Sequence, residues 1–436
     1  MPPTALTAPA PGPGRAPSWL GRLPVKATLE GLGRGLFALV IFFTCFTFLR
    51  PSPYDLIALP TMALWFALGI RVHRAALAAI ALLVAYHLSL LVALLPYLDE
   101  SVPVEWTNQS LYLMVTGLFF VMFFSDRSAE RVELGLKAYL ASCLFAAICG
   151  ILSFADVLGE GLLFRMDGRA AGVFEDPNLL GSFLILSALY LIRDLLTGEA
   201  RRVGASLLAL LVLVACIFLS FSRGSWGAMV VGTALMVWMT WRTSPSAPVR
   251  RRVARLSGLA LLGGAVLVGG LLSLEDVRER FSDRAVVTKD YDEGETGRFG
   301  NQRRGIPMLL EHPEGFGPLR WRLTFNLDPH NSYIGAFANG GWAGGLSFLG
   351  LVLATSYVGF RLCFRPSPYQ RLAQIVWPAL LMFFLQALQI DIEKWRHVYM
   401  MLGMVWGLEA ARRAWARGAP VDEQGRAPGV NGGPLA

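Results

Sequence analysis

The chain has 436 residues, of which 54% are hydrophobic and only 16% charged, and its mean hydropathy is +0.50. That length would allow two or three soluble domains, but so few charges cannot cover their surfaces, and a simple soluble enzyme is excluded. A formal charge of +8 raises the question of a nucleic-acid partner, which the placement of the basic residues has to decide.

In chain order, residues 1–34 open with a Pro-, Ala- and Gly-rich stretch and read as a disordered cytosolic tail. Apolar segments of about bilayer-crossing length then recur at 35–49, 54–70, 75–97, 109–124, 135–158, 178–192, 203–221, 225–241 and 256–273. A mixed-charge stretch over 274–332 follows, then further spans at 333–360, 372–390 and 395–411, and a cytosolic tail over 412–436. The expected fold is an all-α, polytopic transmembrane helical bundle of about twelve spans, with one long loop carrying short helices. Within that loop Ile306, Leu309 and Leu310 have the spacing of a short helix resting on the outer leaflet, and Pro307 limits where it can begin.

Orientation follows from Lys and Arg beside the spans. With the N-terminus inside, 24 of the 39 basic residues fall in the two tails and the internal loops. Of the remaining 15, nine lie in the long loop, where the rule has little force. The basic balance is therefore a topology signal, both tails are expected in the cytosol, and no nucleic-acid partner is needed. Cys45, Cys143, Cys149, Cys216 and Cys363 all fall in apolar runs without metal or disulfide spacing and read as packing residues.

Polar groups that could carry chemistry collect at the outer ends of the spans. In Arg165-Met-Asp-Gly-Arg-Ala-Ala-Gly-Val-Phe-Glu-Asp-Pro-Asn178, Arg169 precedes a helix start at Pro177 and Asn178, which suits an anion. The alternative is that Arg169 pairs with Glu175 or Asp176 while Asn178 caps the helix. Arg223, in the tight turn Ser220-Phe-Ser-Arg-Gly-Ser-Trp226, is either an anion ligand or a cation snorkelling to headgroups. The long loop adds Arg298, Arg303, His312 and Asp328-Pro-His-Asn-Ser-Tyr333. His330 is the residue there whose ordinary pKa suits proton transfer near neutrality, with Asn331 beside it at a helix mouth; a capping or anchoring His is the plain alternative. His87 reads as a helix-packing partner, and the role of His397 is open.

These motifs resemble the O-antigen ligase and polymerase superfamily, whose members join or extend bacterial surface polysaccharides. The resemblance is best over 297–350: Gly297-Arg298, Pro313, a Gly-x-Gly, Pro-His-Asn-Ser-Tyr333 and the glycine-rich Asn339-Gly-Gly-Trp-Ala-Gly-Gly345. Arg169-x-x-Gly-x-Phe-x-x-Pro-Asn178 and Ser222-Arg223-Gly224 match the earlier patterns. Gln302 stands where an aromatic residue is often found, and the Gly-x-Gly lies one residue closer to Pro313 than expected.

The resemblance implies an inner-membrane, metal-independent, inverting glycosyltransferase with no cofactor, its active site facing the periplasm. Its donor would be a glycan on undecaprenyl diphosphate and its acceptor a lipid A-core sugar hydroxyl or another glycan. His330 would be the general base; Arg169, Arg223 and Arg298 would bind the diphosphate; Asn178, Arg303 and Asn331 would support them. A polymerase, a protein O-oligosaccharyltransferase and, from a different class, a polysaccharide or lipid transporter are the alternatives.

Overall fold

Backbone polar groups in a bilayer must be satisfied within the chain, so apolar segments become helices. In the computed structural model, which describes residues 23–48, 51–157, 163–244, 246–285, 294 and 296–420, every one of the twelve expected segments holds a helix. They are α1 (Leu23–Phe42), α2 (Pro53–Ala67), α3 (Leu77–Leu94), α4 (Ser101–Phe124), α5 (Ser128–Phe154), the consecutive α6 (Pro177–Phe183) and α7 (Ile185–Thr197), α8 (Val203–Leu219), α9 (Arg223–Thr243) and α10 (Ala247–Leu272). The loop carries α11 (Glu275–Ala285), α12 (Arg298–Glu311) and α13 (Trp321–Phe325), before α14 (Ser332–Phe364), α15 (Gln370–Gln386) and α16 (Arg396–Trp415). Among the described residues, seven helical spans are long and apolar enough to cross a membrane, and α8 is a shorter apolar helix. The chain is a multi-pass helical membrane protein.

Several boundaries differ from expectation. Helix α1 starts at Leu23, inside the stretch read as a disordered tail, because helical geometry continues past the apolar run into Lys26 and Glu30; residues 1–22 of that tail lie outside the described residues, as do 421–436 of the C-terminal one. Pro307 sits within α12 rather than setting its start. Of the three loop residues expected on one face, Leu309 is buried, while Ile306 and Leu310 are 46% and 66% exposed. Leu309 joins Trp321, Phe325 and Ala338 in a small second core that clamps the loop onto α14. Gly305 permits this, since a Cβ there would lie 2.0 Å from the Trp321 ring.

The main core is centred on α16, which is buried without interruption from His397 to Ala411. Gly403 and Gly407, one helical turn apart, bring it against the backbone of α4 at Phe120 and Phe124, the close approach that small residues allow between membrane helices. Helix α10 is the opposite case, with Val253 its one buried residue. At the end of the bundle away from the loop, Arg371 bridges Glu133, Asp194 and Glu199.

Two features shape the loop end. A two-stranded antiparallel hairpin, β1 (Phe164–Met166) and β2 (Arg169–Gly172), turns through Asp167 and Gly168, both at positive φ, which is the geometry an Asp-Gly pair favours. Helix α14 is broken at Gly341, whose φ of 64° and ψ of −165° suit glycine alone. The break frees backbone groups that the 313–319 loop takes up: Trp342 N–H donates to Pro313 O at 2.8 Å, and Phe316 and Gly317 N–H donate to Ala338 O at 2.8 and 3.1 Å. The glycine-rich run and the Gly-x-Gly are thus two halves of one docking joint.

Candidate functional site

The segment that leaves α15 and enters α16 organises the loop end. Ser332, first residue of α14, donates its N–H to Ala387 O at 2.8 Å and its hydroxyl to Ile390 O at 3.0 Å and Glu393 Oε2 at 2.8 Å. Ile392 N–H returns a bond to that hydroxyl at 2.7 Å. Asn331 caps α14 by accepting from the Tyr333 and Ile334 N–H groups, and its own amide donates to Leu388 O at 3.1 Å. The Asp328-to-Tyr333 motif is therefore sewn to residues 387–393 on the far side of two spans.

His330 is held between these bonds with φ of 46°, a left-handed conformation that His tolerates better than most residues. Gln302 Nε2 fixes the preceding carbonyl, donating to Pro329 O at 2.8 Å, and Arg322 grips Asp328 through both carboxylate oxygens. The cap of α14 is Asn331, so a capping role for His330 is disposed of. The imidazole Nδ1 lies 3.4 Å from Asp391 Oδ2, with 39% of the His330 side chain and 30% of Asp391 exposed. Bonding to the Asp391 carboxylate is the main cause that raises the His330 pKa above its ordinary value; burial opposes it, the Asp391 and Asp328 charges add to it, and the Arg298 charge subtracts. A carboxylate on Nδ1 selects the tautomer whose Nε2 is free to accept a proton.

Arg298, first residue of α12, is within electrostatic reach of His330 and donates to Gln389 O at 3.4 Å. Arg169, on β2, is 6% exposed, and its guanidinium donates from Nε to Ser220 O and from Nη2 to Asn178 Oδ1, both at 2.8 Å. Asn178 is thus a partner of Arg169, and the cap of α6 is Asp176, which accepts from Asn178 N–H at 2.8 Å. Arg223 opens α9, three residues after the carbonyl that Arg169 holds. Ser225 in the same turn meets Ser182 at 3.0 Å, and Ser182 donates to Gln386 Oε1 at 2.6 Å. A polar chain therefore runs from Arg169 and the Arg223 turn through Gln386 to the segment that carries Asp391. Arg303 is not drawn into this group; it lies on the exposed side of α12.

Residues 208–349 match the family model described as O-Antigen ligase. Over this stretch, about a third of its length, the chain is similar to the O-antigen ligase family, which supports a place in that superfamily. The matched region runs from α8 into α14 and contains Arg223, Arg298 and His330, while Arg169 and Asp391 lie outside it. No curated protein matches the chain. That likeness supports a general function of the ligase and polymerase type, with lipid-linked glycan and acceptor substrates.

Sequence reasoning missed Asp391, Glu393 and Gln386. The signal for the first two was three charges, Asp391, Glu393 and Lys394, in a connection of a few residues between two apolar spans, where each would be costly without a partner; Gln386, inside an apolar span, had none as clear. Burial and the Asp391 charge push the Glu393 carboxyl up, and burial pushes the Lys394 ammonium down. The other histidines stand apart. His87 Nδ1 bonds within its own helix to Leu83 O at 2.8 Å, and His312 pairs with Glu314 at 3.0 Å within the loop. His397 is boxed by the rings of Phe183, Phe383 and Trp395.

Proposed function

We propose that the protein is an O-antigen ligase-like glycosyltransferase that moves a preassembled glycan from undecaprenyl diphosphate to a lipid A-core sugar hydroxyl. The observation that carries this reading is His330, set with Nδ1 on Asp391 and with Arg298 in its field. Nε2 of the neutral imidazole accepts the proton of the acceptor hydroxyl as its oxygen bonds to the anomeric carbon. The bond from that carbon to the diphosphate oxygen breaks, and its electron pair stays on the diphosphate. Single displacement inverts the anomeric centre.

Arg298, Arg223 and Arg169 hold the diphosphate and stabilise charge growing on it, a task for forked, permanently charged donors. Asn178 orients Arg169, Asn331 fixes the backbone beside the base, and Arg303 adds positive potential at the rim. The loop end faces the periplasm of a bacterial inner membrane and both tails the cytosol. The support for this is that 24 of 39 basic residues lie in the tails and in the connections at the other end of the bundle. No metal or cofactor takes part in the scheme.

The test is a gene deletion in the host, with lipid-linked and surface glycans both analysed. Long lipid-linked chains with bare core support the ligase reading. Single capped repeats would replace it with a polymerase, glycan missing from protein alone with an oligosaccharyltransferase, and unflipped precursor with a transporter.

A further inference from the structure

Beyond Asp391 the same segment continues through Lys394 and Trp395 into the wall of a second feature. It is an open cavity of about 700 Å³ lined by Thr44 and Thr47, α2, α4, the 174–179 stretch, and Lys394 to His397 at the start of α16. Neither His330 nor Arg169, Arg223 or Arg298 lines it, and its chemistry is different from theirs. Glu105, Asn108 and Gln109 present exposed carboxylate and amide groups from α4, and Glu175 does so from the opposite wall.

The two cations in the wall are already engaged. Lys394 donates to Trp106 O at 2.7 Å and Ser110 Oγ at 2.5 Å. Arg396 donates to Asp55 Oδ1 at 2.8 Å and Ser52 Oγ at 2.9 Å. Trp395 and His397 line the cavity with stacked rings 5.5 Å apart. His397 is 3% exposed, and its Nε2 has no hydrogen-bond partner among the described residues.

A phosphate or diphosphate entering here would meet the Glu105 and Glu175 carboxylates, neither of which has a cationic partner among the described residues, with the nearby guanidinium and ammonium groups occupied. A hydroxyl-rich saccharide fits instead. Carboxylates and amides take and give bonds to vicinal hydroxyls, while an indole offers an apolar, polarisable wall to the C–H face of a pyranose. We propose that this cavity is the subsite for the acceptor saccharide, separate from the arginine-lined diphosphate site and joined to it by the 387–396 segment. The inference rests on the glycosyl-transfer reading above and adds where the acceptor is held and by what chemistry.

The experiment uses the full chain in nanodiscs and saturation-transfer NMR with methyl glycosides of glucose, galactose and glucosamine, and with inorganic pyrophosphate as the anion probe. At least one glycoside is expected to bind the wild type. The Asn108→Ala/Gln109→Ala double variant, altered at exposed positions only, is expected to weaken it about tenfold, as loss of one to three hydrogen bonds predicts. Pyrophosphate binding should be unchanged in that variant and weakened in Arg298→Ala, which should leave the glycoside within twofold. Absence of glycoside binding, equal glycoside affinity in the double variant, or pyrophosphate competing for the glycoside's place would each overturn the subsite. A parallel transfer assay separates the two claims: the transfer reading falls if His330→Asn retains full activity, and the subsite alone falls if the acceptor KM is unmoved in the double variant while His330→Asn is inactive.

Discussion

Replacing Asp391 with Asn removes the negative charge behind His330 while keeping the shape of the side chain. Two unit charges 3.4 Å apart interact by about 5 kcal/mol at an effective dielectric near 20 and about 1.2 kcal/mol in water. Both side chains are about a third exposed, so solvent screening moves the value towards the lower limit, to roughly 1–2 kcal/mol. On the proposed mechanism this is the stabilisation lost by the imidazolium formed as the acceptor proton is taken up, and it predicts a fall in kcat of about fivefold to thirtyfold. The pH profile moves as well. Asp391 raises the His330 pKa, and a base works only when neutral, so on the proposed mechanism wild-type transfer should be lost as pH falls through that raised value. Without the carboxylate the acid limb should move to lower pH, leaving the deficit largest above neutrality and smallest in acid. Purified protein in nanodiscs, a lipid-linked glycan donor and gel-resolved product across pH 5–9 measure both quantities. An unchanged acid limb with an unchanged kcat would refute the assignment of Asp391 as the positioning carboxylate.

Further expectations concern separate parts of the site. Arg298→Ala should raise the donor KM by roughly tenfold to a hundredfold, the worth of a charge-assisted hydrogen bond, and titration with a labelled diphosphate donor checks it. Arg169→Lys cannot reproduce the fork onto Asn178 and Ser220, and thermal unfolding should show a loss of about 1–3 kcal/mol. Gly341→Ala would place a Cβ 2.5 Å from Pro313 O at a backbone geometry reserved for glycine, so the loop should detach from α14, read as faster proteolysis within 313–319. Gln302→Ala removes the bond to Pro329 O and should lower kcat several-fold without changing donor affinity, measured in the same transfer assay.

The sequence announced the membrane helices because long apolar runs have one structural solution in a bilayer, whereas α11 to α13 lie in the mixed-charge loop, where hydropathy does not mark them. It understated their ends: Leu23 and Ala247 start helices among charged residues, where the helix leaves the apolar layer and hydropathy no longer reports it. The hairpin at 164–172 had a visible signal in Asp167-Gly168, too short to stand out beside a helix start. His330 and the three arginines could be picked out by residue type and motif, but their connection could not. Asp391 lies some sixty positions from His330, and only the packing of α14 against α15 and the Ser332 bonds to 387–393 bring the two together.

The central claim is that the imidazole of His330 takes the proton from the acceptor. Single-turnover transfer by His330→Asn tests it most directly, since Asn also accepts a positive φ and can fold at that position. The account predicts a loss of about 10²–10⁴ in rate with donor binding intact; a variant that transfers glycan at the wild-type rate would contradict it.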